Sequence, residues 1–191
     1  MILVIDTSSA VNALAVIGGS EADQLFLPAR SPELVDRMRS MASAHTLTRV
    51  AVATGPGSFT GVRVGVSFGL GIAMGLRIPI VPLPTLGLQA ARSTTPVLAV
   101  AEAGRGRVFY LEPEGTPALA ELDELPPDWP VVGWLRPETE AALQKLGHGF
   151  KPETELRPFV EAAVQVLKTA RDVPYGSLKL EYMQPFAGKA R

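Results

Sequence analysis

The segment Arg49–Pro79, RVAVATGPGSFTGVRVGVSFGLGIAMGLRIP, predicts a strand, a tight turn and a long helix in succession. Val50–Thr54 is apolar and rich in β-branched residues, and Gly55-Pro56-Gly57 stops it, which is typical of a buried strand. The apolar stretch after the turn contains Ser58 and Thr60, two good helix N-cap residues. The rest of the fold is expected to assemble around this strand–turn–helix unit.

Five glycines lie in the predicted helix, and they fall into two sets with four-residue spacing: Gly61, Gly65, Gly69 and then Gly71, Gly75. Each helical glycine costs about 0.8–1 kcal/mol relative to alanine. Glycines at this spacing lie on one side of a helix and let another backbone come close. Two interpretations remain open: the helix packs tightly on its own sheet, or it packs on a partner, and both can hold on different faces.

The predicted helix is not expected to span a membrane. Its uncharged part, Val64–Leu76, is shorter than the ~20 residues that a span needs, and Arg63 and Arg77 flank it.

Composition narrows the function classes. The chain has 191 residues, 47% hydrophobic and 19% charged, with a formal net charge of −1. This balance predicts no general affinity for nucleic acid or anionic membrane. Cysteine is absent, which excludes disulfides, thiolate catalysis and cysteine metal sites. The start, MILVIDTSS, lacks a basic region, so no signal peptide is predicted and a cytoplasmic location is expected.

Charge is unevenly distributed along the sequence. Between Arg37 and Ala101 there is no acid and no lysine, but there are six arginines. Ordinary solvated surface explains this pattern, and the alternative is that this half of the chain meets an acidic partner such as a protein, a nucleotide or RNA.

Hydrophobic patterning predicts an α/β chain in which one motif occurs twice. A first meander is followed by helix–strand units, and strand–turn–strand recurs weakly from Val97. The predicted elements are strands at Ile2–Ile5, Ala13–Ile17, Gln24–Leu27, Ile78–Leu83, Val97–Ala101, Arg107–Glu112 and Val131–Trp134; helices at Ser31–Ala44, Leu86–Arg92, Pro137–Leu146 and Arg157–Arg171; turns at Gly18-Gly19 and Gly104–Gly106; a surface loop at Glu114–Pro130; and a tail from Val173, with Tyr175, Tyr182 and Phe186, that is either an ordered strap or frayed.

Known catalytic motifs fit this sequence poorly. The GPGSFTG turn lacks the Gly-Lys-Ser/Thr ending of a P-loop, and no acid follows at the distance that a dinucleotide site requires. Ser58 is not in a GxSxG elbow, and the two histidines form no metal motif. Asp6, followed by Thr7 and Ser8, is a candidate phosphate, nucleotide or magnesium contact, and a structural cap of the turn explains it equally well.

Two strings, MILVIDTSS and VATGPGSFTGVRVGVSFGLGIAMGLRIPIVPLPTL, resemble the bacterial TsaB (YeaZ) family. This resemblance extends from Met1 to about Tyr110. It implies the actin-like ATPase (ribonuclease H-like) fold, with two related subdomains, 1–96 and a smaller 97–191, the second trimmed here. It also implies a cytoplasmic, non-catalytic subunit of the machinery that makes N6-threonylcarbamoyladenosine (t6A) in tRNA.

In that family the subunit forms a homodimer when alone, pairs with the metal-bearing subunit TsaD and works with the ATPase TsaE, so that tRNA is met only through the complex. The resemblance implies no intrinsic cofactor, with a nucleotide as a candidate ligand at the partner interface. It places the partner interface on the first helix and the glycine helix. The motif loop directly precedes the glycine helix. The interface residues are Leu34, Met38, Gly61, Val62, Val64, Gly65, Phe68, Gly69 and Ile72, and the motif-loop residues are Gly55, Pro56, Gly57, Ser58, Phe59, Thr60 and Arg63. On this assignment, Gly65→Leu is predicted to abolish the complex and leave the fold largely intact.

The sequence departs from the family pattern after the second-subdomain strand. The family has Asp-Ala-Arg-x-Gly-Glu-Val-Tyr at this point. This chain has Glu102 in place of the aspartate, Gly104 in place of the arginine and Arg107 in place of the glutamate. The first helix region also lacks the usual preceding histidine, and Arg30–Glu33 stands there.

A second function class stays open at this stage. A nucleotide-binding ATPase or small-molecule kinase of the same fold would need phosphate loops in both halves. Asp6–Ser9 lacks the glycine that lets a backbone approach phosphate, whereas Glu102–Gly106 has glycines. A peptidase, suggested only by the historical grouping of the family, has no support from the residues.

Overall fold

The computed structural model describes residues 1–18 and 23–181, which form two β-sheets with helices on both faces. The first sheet has the strand order β3-β2-β1-β4-β5 and the second β8-β7-β6-β9. The elements in chain order are β1 (Ile2–Asp6), β2 (Val11–Ile17), β3 (Asp23–Pro28), α1 (Leu34–Ala44), β4 (Arg49–Ala53), α2 (Phe59–Leu76), β5 (Ile80–Leu83), α3 (Thr85–Ala90), β6 (Leu98–Gly104), β7 (Arg107–Leu111), β8 (Ala118–Glu121), β9 (Val131–Val132), α4 (Pro137–Lys145) and α5 (Phe159–Leu167).

The central strands of the first sheet are buried on both faces, which explains why they are apolar along most of their length. β1 and β2 pair antiparallel, whereas β4 pairs parallel with β1 and β5 parallel with β4. Leu3 and Ile5 of β1 point towards α1 and α2, while Val4 between them points towards α3 and α5. The sheet therefore presents its carboxyl strand ends to the turns before α2 and α3.

The second sheet repeats the topology of the first with one strand fewer among the described residues. β6, β7 and β8 form the meander, and β9 pairs parallel with β6, beginning with Leu98 opposite Val131 as Ile2 is opposite Arg49. The internal repeat predicted from the sequence is thus present. The boundary between residues 96 and 97 stays a prediction, because α3 contributes Leu88 to the core of the first sheet and Leu86 to that of the second.

The structure changes several predicted bounds, and its contacts give the physical reason for two of them. Helix α1 begins at Leu34 instead of Ser31, because the Ser31 hydroxyl and carbonyl accept hydrogen bonds from Glu33 N (3.3 Å) and Leu34 N (3.2 Å), which closes a turn ahead of the helix. The predicted loop Glu114–Pro130 contains the strand β8, which pairs with β7. Prolines and acids obscure this strand in the sequence, but an edge strand tolerates both.

The segment after α5 is an ordered strap up to Glu181. The Tyr175 hydroxyl lies 2.8 Å from Ile78 O and 3.1 Å from Ala73 O, and Val173 forms a bridge with Ile80. Helix α5 itself is shorter than the predicted Arg157–Arg171. The predictions at Gly19, Tyr182 and Phe186 lie outside the described residues.

Candidate functional site

The inner face of α2 is fitted to the first sheet by three glycines. A Cβ atom on Gly61, Gly65 or Gly69 would lie closer than 3.0 Å to the Thr7 carbonyl, the Thr7 hydroxyl or a Val52 methyl, respectively. Real Cβ atoms do not show such separations. These three glycines therefore let the α2 backbone lie directly against β1 and β4.

The turn before α2 is fixed by hydrogen bonds to the end of β1. Ser58 N donates to Ser8 O (2.7 Å), and the Thr7 hydroxyl donates to Gly61 O (2.7 Å). The Ser58 hydroxyl accepts from Gly61 N (3.3 Å), which confirms the predicted N-cap. The turn before α2 and the first residues of that helix thereby fill the space beyond the strand end.

The predicted interface residues are buried to different degrees, and their role at an interface stays a prediction. Leu34, Met38 and Val62 are buried in the core under α1 and α2, and Phe68 and Ile72 are partly buried against it. The packing of Gly61, Gly65 and Gly69 against the sheet means that Gly65→Leu would disrupt the protomer, contrary to the prediction from the sequence. Of the nine predicted interface residues, Val64 is the most exposed, at 39%.

The outer face of α2 comprises Thr60, Val64, Ser67, Gly71, Met74 and Gly75, all of which are exposed. At 3.6 residues per turn they lie within one arc of the helix. A Cβ on Gly71 or Gly75 would meet no atom of residues 1–18 and 23–181 within 4 Å. The second glycine set therefore faces outwards, where the absence of side chains leaves the helix backbone exposed.

Exposed apolar side chains concentrate on this helix. Seven large hydrophobic residues of the described chain are notably exposed, and four of them lie on α2: Phe59 (54%), Val64 (39%), Met74 (53%) and Leu76 (53%). Contiguous exposed apolar surface marks interaction sites in soluble proteins. A shallow groove at the N-terminal half of the face is lined by Phe59, Thr60, Arg63, Val64, Ser67 and Phe68.

The motif loop before α2 has a mixed environment. Gly55 and Pro56 are buried, and Gly55 has a φ of +107°, a conformation that favours glycine. The Arg63 guanidinium stacks over the Phe59 ring at 3.7 Å from its centroid. The predicted loop residues therefore divide into a buried turn and an exposed edge of the groove.

Helix α2 also meets a length and hydropathy criterion for a membrane span, with a mean hydropathy of 1.4 and 28% of its length buried. Its glycine packing against β1 and β4 assigns the helix to the fold of this domain. The low burial reflects the exposed outer face of the helix.

The predicted phosphate contacts lie in a buried turn, and that role stays a prediction. Asp6, Thr7 and Ser8 are at most 4% exposed, and the turn before α2 covers them. Asp6 Oδ1 accepts from Ser8 N (2.9 Å) and from the Ser8 hydroxyl (2.5 Å), which is the structural cap that the sequence left as an alternative. In this structure these side chains are closed off from a phosphate group.

Burial raises the pKa of the Asp6 carboxyl above its ordinary value, and the two hydrogen bonds from Ser8 only partly oppose this. Its second oxygen, Oδ2, is buried without a hydrogen-bond partner. An ionised Asp6 therefore destabilises the folded chain.

We expect Asp6→Asn to remove this pH-dependent penalty. Folding raises the pKa of Asp6, so the protonated carboxyl contributes to the stability of the folded chain. This contribution is fully present below the unfolded pKa and is lost as pH rises through the folded pKa. At pH 7 the variant should match or exceed the wild type in free energy of unfolding, by up to about 1–3 kcal/mol. Urea unfolding between pH 4 and 8 measures the difference, which must grow with pH; parallel curves would show that Asp6 does not titrate differently on folding.

The arginine-rich segment is largely neutralised by the chain itself. Arg49 pairs with Asp172 (3.2 Å), Arg37 with Glu33 (3.1 Å), and the buried Arg92 with Glu153. Arg92 also stacks on Trp134. These contacts favour the solvated-surface interpretation over a binding site for an acidic partner.

Glu102, one of the departures from the family pattern, has a structural role here. It lies at the end of β6, as Asp6 lies at the end of β1, and its carboxylate accepts from Arg136 N (3.0 Å), Arg136 Nε (2.6 Å) and Thr139 Oγ1 (2.6 Å). It thereby holds the N-terminus of α4. Within residues 1–18 and 23–181, no three His, Asp or Glu side chains cluster as a metal site would require.

Comparison with known proteins connects this geometry to one family. A family model described as "TsaD: tRNA N6-adenosine threonylcarbamoyltransferase" matches residues 32–122. The Escherichia coli K12 tRNA threonylcarbamoyladenosine biosynthesis protein TsaB is 34% identical over 107 residues, 53% of this chain and 45% of that protein. The Bacillus subtilis 168 protein of the same name is 28% identical over 168 residues, 77% of this chain and 70% of its own length. The alignment thus spans less than half of the E. coli relative.

A solved structure from Pseudomonas aeruginosa, titled as an uncharacterized protein with similarity to peptidase YEAZ, superimposes with a TM-score of 0.74 at 18% identity, covering 96% of this chain and 99% of that one. This likeness confirms the predicted actin-like, ribonuclease H-like fold.

Proposed function

Because this chain belongs to the TsaB (YeaZ) family, we propose that it is a non-catalytic subunit in bacterial t6A biosynthesis which binds and stabilises a TsaD-type subunit. The two curated relatives are t6A biosynthesis proteins, which supports the pathway. We further propose a cytoplasmic location, TsaE as a third component, and contact with tRNA through the complex.

The observation that carries this proposal is the outer face of α2. Val64 and Met74 expose apolar side chains beside Gly71 and Gly75, where the backbone is bare. Small residues on a helix surface permit close approach of a second helix, and the neighbouring apolar groups gain by burial. A helix of the partner is the occupant that fits this surface.

The same face explains why a homodimer is proposed for the chain alone. A two-fold axis places one self-complementary patch against its copy. A TsaD-type subunit of the same fold would replace that copy, so that homodimer and heterodimer compete. A specific complex needs about 1,200–2,000 Å² of total buried surface, so α2 and its neighbour α1 are both expected to contribute.

We propose that the subunit has no independent activity because the carboxyl groups at two strand ends are already hydrogen-bonded within the chain. The acidic groups at the ends of β1 and β6, Asp6 and Glu102, are held by the chain itself. The alternative of a nucleotide-binding ATPase would require these loops to open. A nucleotide at the partner interface is compatible with the proposal, because the subunit would supply only part of that site.

Size-exclusion chromatography with light scattering tests the proposal, on this chain alone and mixed with the TsaD-type subunit of the same source. We expect a dimer of this chain to convert into a heteromeric complex of higher or intermediate mass with a fixed subunit ratio. Two unchanged peaks at micromolar concentrations would remove the assigned function and leave the fold.

A further inference from the structure

The strap, residues 173–181, fastens the C-terminal end of helix α2. The Tyr175 hydroxyl lies 2.8 Å from Ile78 O and 3.1 Å from Ala73 O, so its single proton is shared between two carbonyls. Ala73 O is one of the last four carbonyls of α2, which lack the usual partner one turn further along the helix. The strap therefore supplies a hydrogen-bond donor to this helix end from outside the helix.

The strap is itself anchored along the first sheet. Val173 forms a bridge with the first residue of β5, and Leu178 and Leu180 pack against the core under α1 and α2. Glu181 N donates to the carbonyl of the residue directly after β4 (2.9 Å). Contacts on both sides of Tyr175 therefore fix its position, independently of the helix end that it reaches.

The C-terminal end of α2 depends on such outside contacts. Gly75 lowers the stability of the last turn relative to alanine. The helix ends at Arg77, whose φ of +54° lies in the left-handed region, where glycine is the usual residue. Of the last four helical residues, Met74, Gly75 and Leu76 are exposed, and only Ala73 is buried. Packing on the core therefore holds this turn at one residue.

The same turn forms one end of the outer face of α2. Met74 is 53% exposed, and Gly75 leaves the backbone beside it open to close approach. A partner helix can use this surface only while the turn keeps its helical geometry, because unwinding would move both residues relative to the rest of the face.

We propose that the strap positions the last turn of α2 for a partner, and that Tyr175 is the residue through which it does so. A partner that requires the helical geometry of this turn binds the chain with the docked strap more tightly. By linkage, partner binding strengthens the docking of the strap by the same factor. The coupling rests on the proposed function, whereas the hold on the helix end is a property of this chain alone.

Hydrogen exchange of the chain alone, followed by mass spectrometry, tests the hold on the helix end. Tyr175→Phe removes the hydroxyl and retains the ring. The matched control is Tyr110→Phe in β7, where the ring packs against the core of the second sheet and the hydroxyl has no hydrogen-bond partner among the described residues. We expect the backbone amides of residues 74–78 to exchange at least fivefold faster in Tyr175→Phe and at the wild-type rate in Tyr110→Phe.

The amides of α4 show whether the effect is local. This helix packs on the second sheet and can open without release of the strap, so its exchange should not change in Tyr175→Phe. Unchanged exchange at residues 74–78 would overturn the hold of the strap on the helix end. An equal rise in α4 would overturn the positioning role, because it would show only a general loss of stability.

Affinity for a TsaD-type subunit, measured by calorimetry, tests the coupling. Tyr175→Phe should bind at least threefold more weakly than the wild type, and Tyr110→Phe should bind equally well. Wild-type affinity of Tyr175→Phe would overturn the coupling. A wild-type chain that binds no such subunit would remove the coupling together with the proposed function. The exchange experiment uses no partner and still decides the hold on the helix end, so the two failures are distinguishable.

Discussion

Gly61→Ala is expected to lower the free energy of unfolding by about 3 kcal/mol, the upper end of the usual cost of overpacking. The added Cβ would collide with the carbonyl of Thr7, a backbone atom directly after β1 that cannot rotate away as a side chain could. Relief would require α2 to move off the sheet. That movement would also break the hydrogen bond from the Thr7 hydroxyl to Gly61 O.

The matched variant is Gly71→Ala in the same helix. Its Cβ meets no atom within 4 Å, so only helix propensity changes, and the chain should gain about 0.8–1 kcal/mol. Urea denaturation of both variants measures the contrast. Similar destabilisation by the two substitutions would contradict the assignment of the two glycine sets to opposite environments.

Gly71→Leu is expected to weaken binding of a TsaD-type subunit by at least a hundredfold, while the chain itself becomes slightly more stable. The leucine side chain has open space in the protomer and improves helix propensity, but it would hold a partner helix away from the bare backbone. A hundredfold loss corresponds to about 2.7 kcal/mol of binding free energy. Isothermal titration calorimetry measures the affinity.

The control for this variant is Gly149→Leu, another exposed glycine whose added Cβ would meet no atom within 4 Å. It lies beyond α4, far along the chain from α2, and should bind the partner as the wild type does. Native affinity of Gly71→Leu would exclude the centre of the outer face from the interface. Equal loss in both variants would point to a general effect of surface leucines.

The strand–turn–helix unit could be predicted from the sequence because local signals agree there. The β-branched run ends at a Gly-Pro-Gly turn, and Ser58 supplies the cap that the structure shows. The strand β8 could not, because pairing with β7 determines it and its own residues Ala118 and Glu121 are weak strand formers.

The spacing of the glycines does not show which way each set faces, but the residues that share each side of the helix do. Gly61, Gly65 and Gly69 share their side of the helix with Val62 and Val66, whereas Gly71 and Gly75 share theirs with Thr60 and Ser67. The two sets are offset by about 100° around the helix axis. Spacing alone treats them alike, and the polar neighbours of the second set distinguish the face that meets solvent.

Burial of the strand ends could not be read from the sequence. Asp6 follows an apolar strand whether it binds a ligand or caps its own turn. Only the three-dimensional fit of Gly57 and Gly61 against the Thr7 and Ser8 carbonyls shows that the space is filled.

Protection of a thiol on α2 tests the central claim most directly. Met74→Cys lies on the outer face and replaces a side chain that is 53% exposed; Leu146→Cys, at a 50% exposed position after α4, is the matched control. With a saturating TsaD-type subunit, maleimide modification at position 74 should slow at least tenfold and that at position 146 should not change. Unchanged modification at position 74 in a complex verified by light scattering would contradict the assignment of this face to the partner.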